Sequence, residues 1–223
     1  MVYSGPVAAH SYALLQHHTF HTIVLVGPSH YVGFEGASIW PSGAFETPLV
    51  NLPVDEALAA AIGAACPAVA DLPEAHAREH SLEMQLPFLA MLAPGTPIVP
   101  IVMGFQTRET VCALADAIAS GVRGRRVLLV ASSDLSHFYD APTAMALDHE
   151  VMTRVNALDE EGLMSLLERR ADHACGGGPM VTVLRAARAL GATTGRVLRY
   201  ADSGDVSGDK SSVVGYMAAA VWR

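Results

Sequence analysis

The sequence predicts an α/β protein with a mixed central sheet flanked by helices, and three observations carry that expectation. Apolar runs of strand length recur at Thr22–Val26, Pro97–Met103, Val127–Ala131, Arg196–Ala201 and Ser212–Ala218. The stretches between them have helical spacing, which is the signature of strands alternating with helices. The last two runs are close in sequence, which suits an antiparallel pair and makes the sheet mixed. With 223 residues, 51% of them hydrophobic, and a mean hydropathy of +0.32, the chain can bury a sizeable core. It shows no internal repeat and no long linker, so one domain over residues 1–223 is expected.

Each element has its own local reason. Pro6–His17 sets Val7, Tyr12 and Leu14-Leu15 at roughly helical spacing, and the strand Thr22–Val26 ends in Gly27-Pro28. Val54–Cys66 is an Ala-rich helix. Ser81–Leu92 offers Leu82, Leu86, Leu89 and Met91-Leu92 to a helix, with Pro87 expected to kink it. Thr107–Ser120 places Val111, Leu114, Ala115 and Ile118 on one face, with Thr107 as N-cap. Helices over Met145–Ala157 and Asp159–Arg169 follow, then Pro179–Leu190, whose proline suits a first helical turn.

Composition removes several classes of function. Formal charge is −8, from 14 basic and 22 acidic residues, and no basic stripe appears, so no nucleic-acid partner is expected. Arg123, Arg125 and Arg126 flank the entrance to a strand and read as a solvated turn. The least polar stretch, Ala57–Ala70, is short and broken by Pro67, so no membrane association is expected. The first fifteen residues carry no Lys or Arg ahead of their apolar stretch, unlike a secretory leader. Three scattered cysteines, Cys66, Cys112 and Cys175, make no disulfide framework, and a cytoplasmic location is expected.

Two strand ends draw attention. "TIVLVGPSHY" closes a run with a Gly-Pro turn and His30, and "VASSDLSHF" closes another with Asp134 and His137. In open α/β sheets, ligands sit beyond the carboxyl ends of strands, where both segments end. Alone, His30 reads as a turn histidine. Asp134 could N-cap a short turn, or orient His137 for base or ligand work. In "REHSLEMQLPFL", Glu79 and Glu83 suit the start of a helix and read as structural. His80 sits awkwardly there, because its charged form is disfavoured; held neutral, it can accept a proton or bind metal. Cys175, in "HACGGGPM", precedes three glycines at a helix entrance, which lowers a thiol's pKa and lets backbone approach closely. Cys66 and Cys112 lie on apolar helix faces and read as core. His17, His18 and His21 read as histidines at a helix C-terminus, and "ADSGDVSGDKSS" as a polar inter-strand loop at a site entrance.

The stretches "VYSGPVAAHSYALL", "VLVGPSHY", "EHSLEMQLPFL", "SSDLSHF", "ACGGGP" and "VVGYMAAAV" together resemble the Memo family, which in prokaryotes includes the AmmeMemoRadiSam system protein B. The similarity runs in order along essentially the whole chain. It implies the fold of class III, non-haem-iron extradiol dioxygenases, without implying their reaction. Residue by residue, the resemblance places a site histidine at His30, a strand-end Asp and His at Asp134 and His137, and a site cysteine at Cys175. A carboxylate takes the cysteine's position in the dioxygenase relatives, and a thiolate there makes a softer site, suited to copper as well as iron. His137 matches the relatives' acid–base residue, and His80 is implied to line the same cavity. The resemblance also implies functional association with radical-SAM and Ammecr-type proteins.

One departure bears on the ligand set. The family's site opens with a strand ending in P-H-A-G-Y, just ahead of Y-S-G, whose histidine supplies a ligand. This sequence starts Met1-Val2-Tyr3-Ser4-Gly5, inside that pattern. His30 and Cys175 are then the carried-over ligands, with His137 or His80 as a third, and three is the common catalytic minimum.

Three functions are therefore expected to compete. The first is a mononuclear iron or copper pocket: His30 and Cys175 coordinate, His137 is base or third ligand, Asp134 orients it, and an O2-dependent oxidation is the reaction class. The second is a metal-free thiol enzyme with Cys175 as nucleophile, His137 as base and Asp134 as orienter. The third is a non-enzymatic module binding a small molecule or peptide. The metal centre requires His30 and Cys175 to converge on one cavity.

Overall fold

The computed structural model describes residues 1–223. The chain starts with α1 (Gly5–Tyr12), continued by a 3-10 turn (Ala13–His17), then β1 (Thr22–Pro28), β2 (Ala37–Ile39), β3 (Ala44–Phe45) and β4 (Leu52–Pro53). Next come α2 (Glu56–Ala65), β5 (Val69–Ala70), α3 (Pro73–His76), α4 (Leu86–Leu92), β6 (Ile98–Met103) and α5 (Arg108–Gly121). The second half runs β7 (Val127–Ala131), β8 (His137–Tyr139), α6 (Ala141–Ala157), α7 (Glu160–Arg169), α8 (Gly177–Ala189), β9 (Thr194–Asp202), α9 (Gly204–Ser207) and β10 (Val213–Trp222).

The protein is mixed α/β, with a central mixed sheet between helices. The central sheet has the order β5-β2-β6-β1-β7, with β1 parallel to both β6 and β7 and β2 antiparallel to β6. Every residue of β1 and β6 is buried, as expected of strands covered on both faces. Alternation divides them between two layers: Val24, Val26, Val99 and Ile101 pack with α2, α5 and α8, while Ile23, Leu25, Ile98 and Val102 pack with α1 and α4. Each such side chain contributes about 1.5–3 kcal/mol on burial. No helix is long and apolar enough to cross a membrane.

Two expectations needed correction. The sheet is mixed because β2 enters it antiparallel, not because of the last two strands. Those two pair antiparallel with each other in a separate sheet of order β8-β10-β9. β2 has only three residues, too few for a readable alternation. The helix expected over Ser81–Leu92 begins at Leu86, with Pro87 in its first turn rather than as a kink. Residues 81–85 make successive turns instead, because Ser81 is committed elsewhere: its N–H donates to Glu79 and its hydroxyl to the Pro28 carbonyl. Thr107 caps α5 as expected, accepting from the Thr110 N–H.

β7 is the terminal strand of the central sheet, paired on one edge only. All five of its apolar residues are half-buried, unlike those of β1 and β6.

Candidate metal and thiol site

The carboxyl ends of β1 and β7 lie side by side, and each leads into a turn tied down by main-chain bonds. After β1, the Ser29 N–H donates to the Met103 carbonyl and the Ser29 hydroxyl to the Val32 carbonyl, closing the turn that carries His30. The His30 N–H donates to Glu79 Oε2 at 2.5 Å, and His30 Nδ1 lies 2.8 Å from Glu79 Oε1. Oε1 also accepts from the N–H groups of His80 and Ser81, at 2.9 and 2.8 Å. Burial alone would raise the Glu79 carboxyl, but the bonds from His30 and Ser81 hold it below the usual carboxylate range.

After β7, the Ser132 N–H donates to the Val26 carbonyl and its hydroxyl to the Ser81 carbonyl at 2.6 Å, binding this turn to the Glu79 segment. The Asp134 N–H then donates to Cys175 Sγ at 3.2 Å, and the Cys175 N–H returns to the Asp134 carbonyl. The Gly176 N–H donates to Ser133 Oγ at 2.8 Å. Gln106 clamps the cysteine turn from behind: its amide nitrogen donates to the Cys175 carbonyl at 2.8 Å, and its oxygen accepts from the Gly178 N–H. The glycines permit this approach. A Cβ on Gly176 would lie 2.3 Å from the Ser132 carbonyl oxygen, and one on Gly178 would lie 2.8 Å from the Met103 sulfur. Beneath the 134–137 loop, fully buried Asp148 of α6 accepts from the Ser136 N–H at 2.9 Å and the Tyr200 hydroxyl at 2.8 Å.

His30 and Cys175 face the same cavity, with Cys175 Sγ taking the Asp134 N–H and His30 Nδ1 held by Glu79. With Nδ1 committed to Glu79, Nε2 is the free ring nitrogen. The Cys175 contact, then the bond and charge of Glu79, push the His30 imidazole up to about 9 against the opposing effect of burial. The His80 ring stacks on that of His30, centroids 4.8 Å apart, and the Tyr31 ring meets His80 edge-on. Burial raises the Asp134 carboxyl, opposed by the nearby imidazoles of His137, His30 and His80. His137 Nε2 lies 3.9 Å from Asp134 Oδ2.

All five residues singled out from the sequence, His30, His80, Asp134, His137 and Cys175, line one cavity of about 1620 Å³. Of the others, His18 also lines this cavity, and the rest lie elsewhere. Cys66 is core and Glu83 is exposed. His21 meets Arg126 at the opposite end of β7, and the 202–211 loop is held by Lys210 pairing with Asp202 and Asp205, away from the cavity lining.

Glu79, read from sequence as a helix-start carboxylate, is the residue missed. The ligand atoms of His30, Glu79 and His80 lie within 4.8 Å of one another, a spacing that could hold a metal ion. Glu79 Oε1 already accepts three donors and Oε2 one. Oε1 is thus fully engaged while Oε2 keeps a lone pair free, so Glu79 orients His30 and also leaves one oxygen site open. Gln106 and Ser133 were missed too, since nothing local in sequence marks a side chain that braces a distant turn.

The sequence model of the Memo-like protein family matches residues 1–220. The MEMO1 family protein MTH_45 of Methanothermobacter thermautotrophicus is 40% identical over 219 residues, covering 96% of this chain and 79% of that protein. The MEMO1 family protein MK0963 of Methanopyrus kandleri is 39% identical over 225 residues, covering 99% and 79%. Among solved structures, the uncharacterized protein JW3007 from Escherichia coli K12 superposes with a TM-score of 0.63 at 17% identity, covering 93% of this chain and 91% of that one, which is a likeness of fold alone. With the strand-end histidine, the glycine-flanked thiol and the whole-length match all in agreement, the chain belongs to the Memo family.

Proposed function

We propose that the pocket binds a single iron or copper ion through His30 and Cys175, with His137 or His80 as third donor. The observation that carries this reading is the chain Glu79–His30–Cys175. A buried carboxylate fixes one nitrogen of the His30 imidazole, and the Cys175 thiol lines the same cavity. Metal-binding histidines commonly receive such a carboxylate on the far ring nitrogen, which sets the tautomer and strengthens the donor. A thiolate beside an imidazole is a soft, mixed donor set that suits iron and copper. Such an ion, when bound, supplies open positions for substrate and O2, the basis for an oxidoreductase of the dioxygenase-like class. Around it, the protein's own parts have separate tasks. Glu79 orients His30, the Asp134 N–H steadies the sulfur, and Asp134 with His137 forms the acid–base pair facing the cavity.

The test is anaerobic loading with Fe(II), or loading with Cu(II), followed by desalting and elemental analysis. Wild-type protein is expected to retain near-stoichiometric metal, and His30→Ala and Cys175→Ala to lose most of it. Equal retention by both variants refutes the reading.

The same chain supports a second reading without metal. Cys175, His30 and Glu79 stand as nucleophile, base and orienter. In this reading the base is His30 and the orienter Glu79, in place of the expected His137 and Asp134. Turnover abolished by thiol alkylation but untouched by a chelator selects it over the first.

A further inference from the structure

Of the five helices with ten or more residues, four are capped by a side chain at their own N-cap. Asp55 caps α2, Thr107 caps α5, Asp140 caps α6 and Asp159 caps α7, so three of these caps are carboxylates. α8, with 13 residues, is the exception: its N-cap is Gly176, which has no side chain, and its first turn holds no acid. Unmet donors at a helix start are costly when buried, and Gly176, Gly177 and Gly178 are all buried. Two of their N–H groups are met from elsewhere in the chain. Gly176 donates to Ser133 Oγ at 2.8 Å, and Gly178 donates to Gln106 Oε1 at 2.6 Å. Pro179, next in line, has no N–H to satisfy.

Gln106 serves both sides of this junction. It lies between the end of β6 and Thr107, the cap of α5, so one short connection caps two helices. Its amide nitrogen donates to the Cys175 carbonyl at 2.8 Å while its oxygen holds Gly178, tying the residue before the N-cap to the first turn. The approach needs glycine, because a Cβ at position 178 would stand 2.8 Å from Gln106 Cβ and 3.0 Å from Gln106 Oε1. An amide offers a donor and an acceptor without charge. A helix start carries roughly half a positive elementary charge, and a carboxylate cap neutralises much of it locally. Ser133 and Gln106 are both neutral. At α8 that charge is therefore left for what lies immediately ahead of the cap, which is Cys175.

We propose that Gln106 is a positioning residue for Cys175: by capping α8 from a distance and without charge, it keeps the positive end of that helix directed at the sulfur. The inference rests on Cys175 being the working sulfur of the site, as both readings above have it. It is measured without metal, so a protein that retains no metal refutes the metal reading alone. A carboxylate at position 106 would keep an acceptor for the Gly178 N–H but set a full negative charge at the same helix end. Gln106 also lines a second cavity of about 390 Å³, whose lining includes the exposed residues Phe105 and Glu168. Such a carboxylate keeps contact with water there, so Gln106→Glu is expected to fold.

The experiment compares alkylation of Cys175 by iodoacetate, an anion, and by iodoacetamide, its neutral analogue, in the full chain at one pH. Mass spectrometry of the peptide that carries Cys175 separates it from Cys66 and Cys112. The ratio of the two rates reports the local potential, because the amount of reactive sulfur is common to both. Gln106→Glu is expected to lower the iodoacetate-to-iodoacetamide ratio by about threefold, the effect of one charge several ångströms away in a watery surrounding. Gln106→Met removes both bonds but adds no charge, and is expected to change the two rates together and leave their ratio as in wild type. An unchanged ratio in Gln106→Glu overturns the proposal. An equal fall in Gln106→Met also overturns it, because the residue is then a brace alone. If Gln106→Glu does not fold, Ser133→Asp brings the same charge to the neighbouring cap, and a ratio unchanged there overturns the proposal as well.

Discussion

Glu79 binds His30 twice, taking its main-chain N–H on one carboxylate oxygen and its Nδ1 on the other, at 2.5 and 2.8 Å. The residue therefore fixes both where the His30 turn lies and which way its ring faces. Glu79→Gln keeps the shape but removes the charge, and is expected to weaken Fe(II) binding by about 10–100-fold. Competition against a chromophoric chelator measures this. Unchanged affinity would mean that Glu79 is a structural brace only.

Gly176 lies against the Ser132 carbonyl, with 2.3 Å between that oxygen and any added Cβ. Backbone cannot yield there as a flexible side chain can. Gly176→Ala is expected to cost about 1–3 kcal/mol and to push the Cys175 turn off its Asp134 and Ser133 contacts. A lowered urea midpoint and an altered thiol alkylation rate are the two readouts. A variant that matches wild type in both would show that the turn relaxes freely.

Asp148 supports the site from below by holding the Ser136 N–H and the Tyr200 hydroxyl. Replacing it with alanine strands two donors in a buried place, so Asp148→Ala is expected to lose about 2–4 kcal/mol. Asp148→Asn, which keeps an acceptor oxygen, loses less. Urea denaturation of the pair distinguishes a hydrogen-bonding role from simple volume loss, which would leave the asparagine variant at wild-type stability.

Asp55 gives the fold a defined acid sensitivity. It caps α2 through the Leu58 N–H and accepts from Thr22 and from Arg125, each at 2.5 Å. Burial raises its carboxyl, but these bonds together win and hold it below the ordinary aspartate range. A depressed carboxylate adds stability that is present above its unfolded value and fades as pH falls through the folded one. Asp55→Ala is expected to cost about 1–3 kcal/mol at pH 7, and the gap from wild type should narrow towards pH 3. Denaturant melts across that range check the sign; a constant gap would remove the charge from the explanation.

Much of this architecture was legible in sequence, because the signals were local. Val127–Ala131 is continuous and apolar, and Thr107 begins a clear periodic run, so both elements lie where the pattern put them. The gathering of His30, Asp134 and Cys175 around one cavity was legible only through strand ends and resemblance, since no local pattern joins them. The helix over residues 81–92 failed at its start because Ser81 bonds to Glu79 and Pro28, and its spacing alone cannot reveal distant partners. Glu79 was undervalued for the same reason. Its environment is made by a turn 49 positions earlier.

Cys175 reaches its place only through Asp134, Ser133 and Gln106, all of which precede it, and α7 intervenes. On a ribosome, the histidine turn and its carboxylate emerge long before the sulfur does. A nascent chain therefore has no complete soft-donor pair until most of its length has been made. Partly made chains, with the histidine turn but no partner sulfur, therefore lack the assembled pocket.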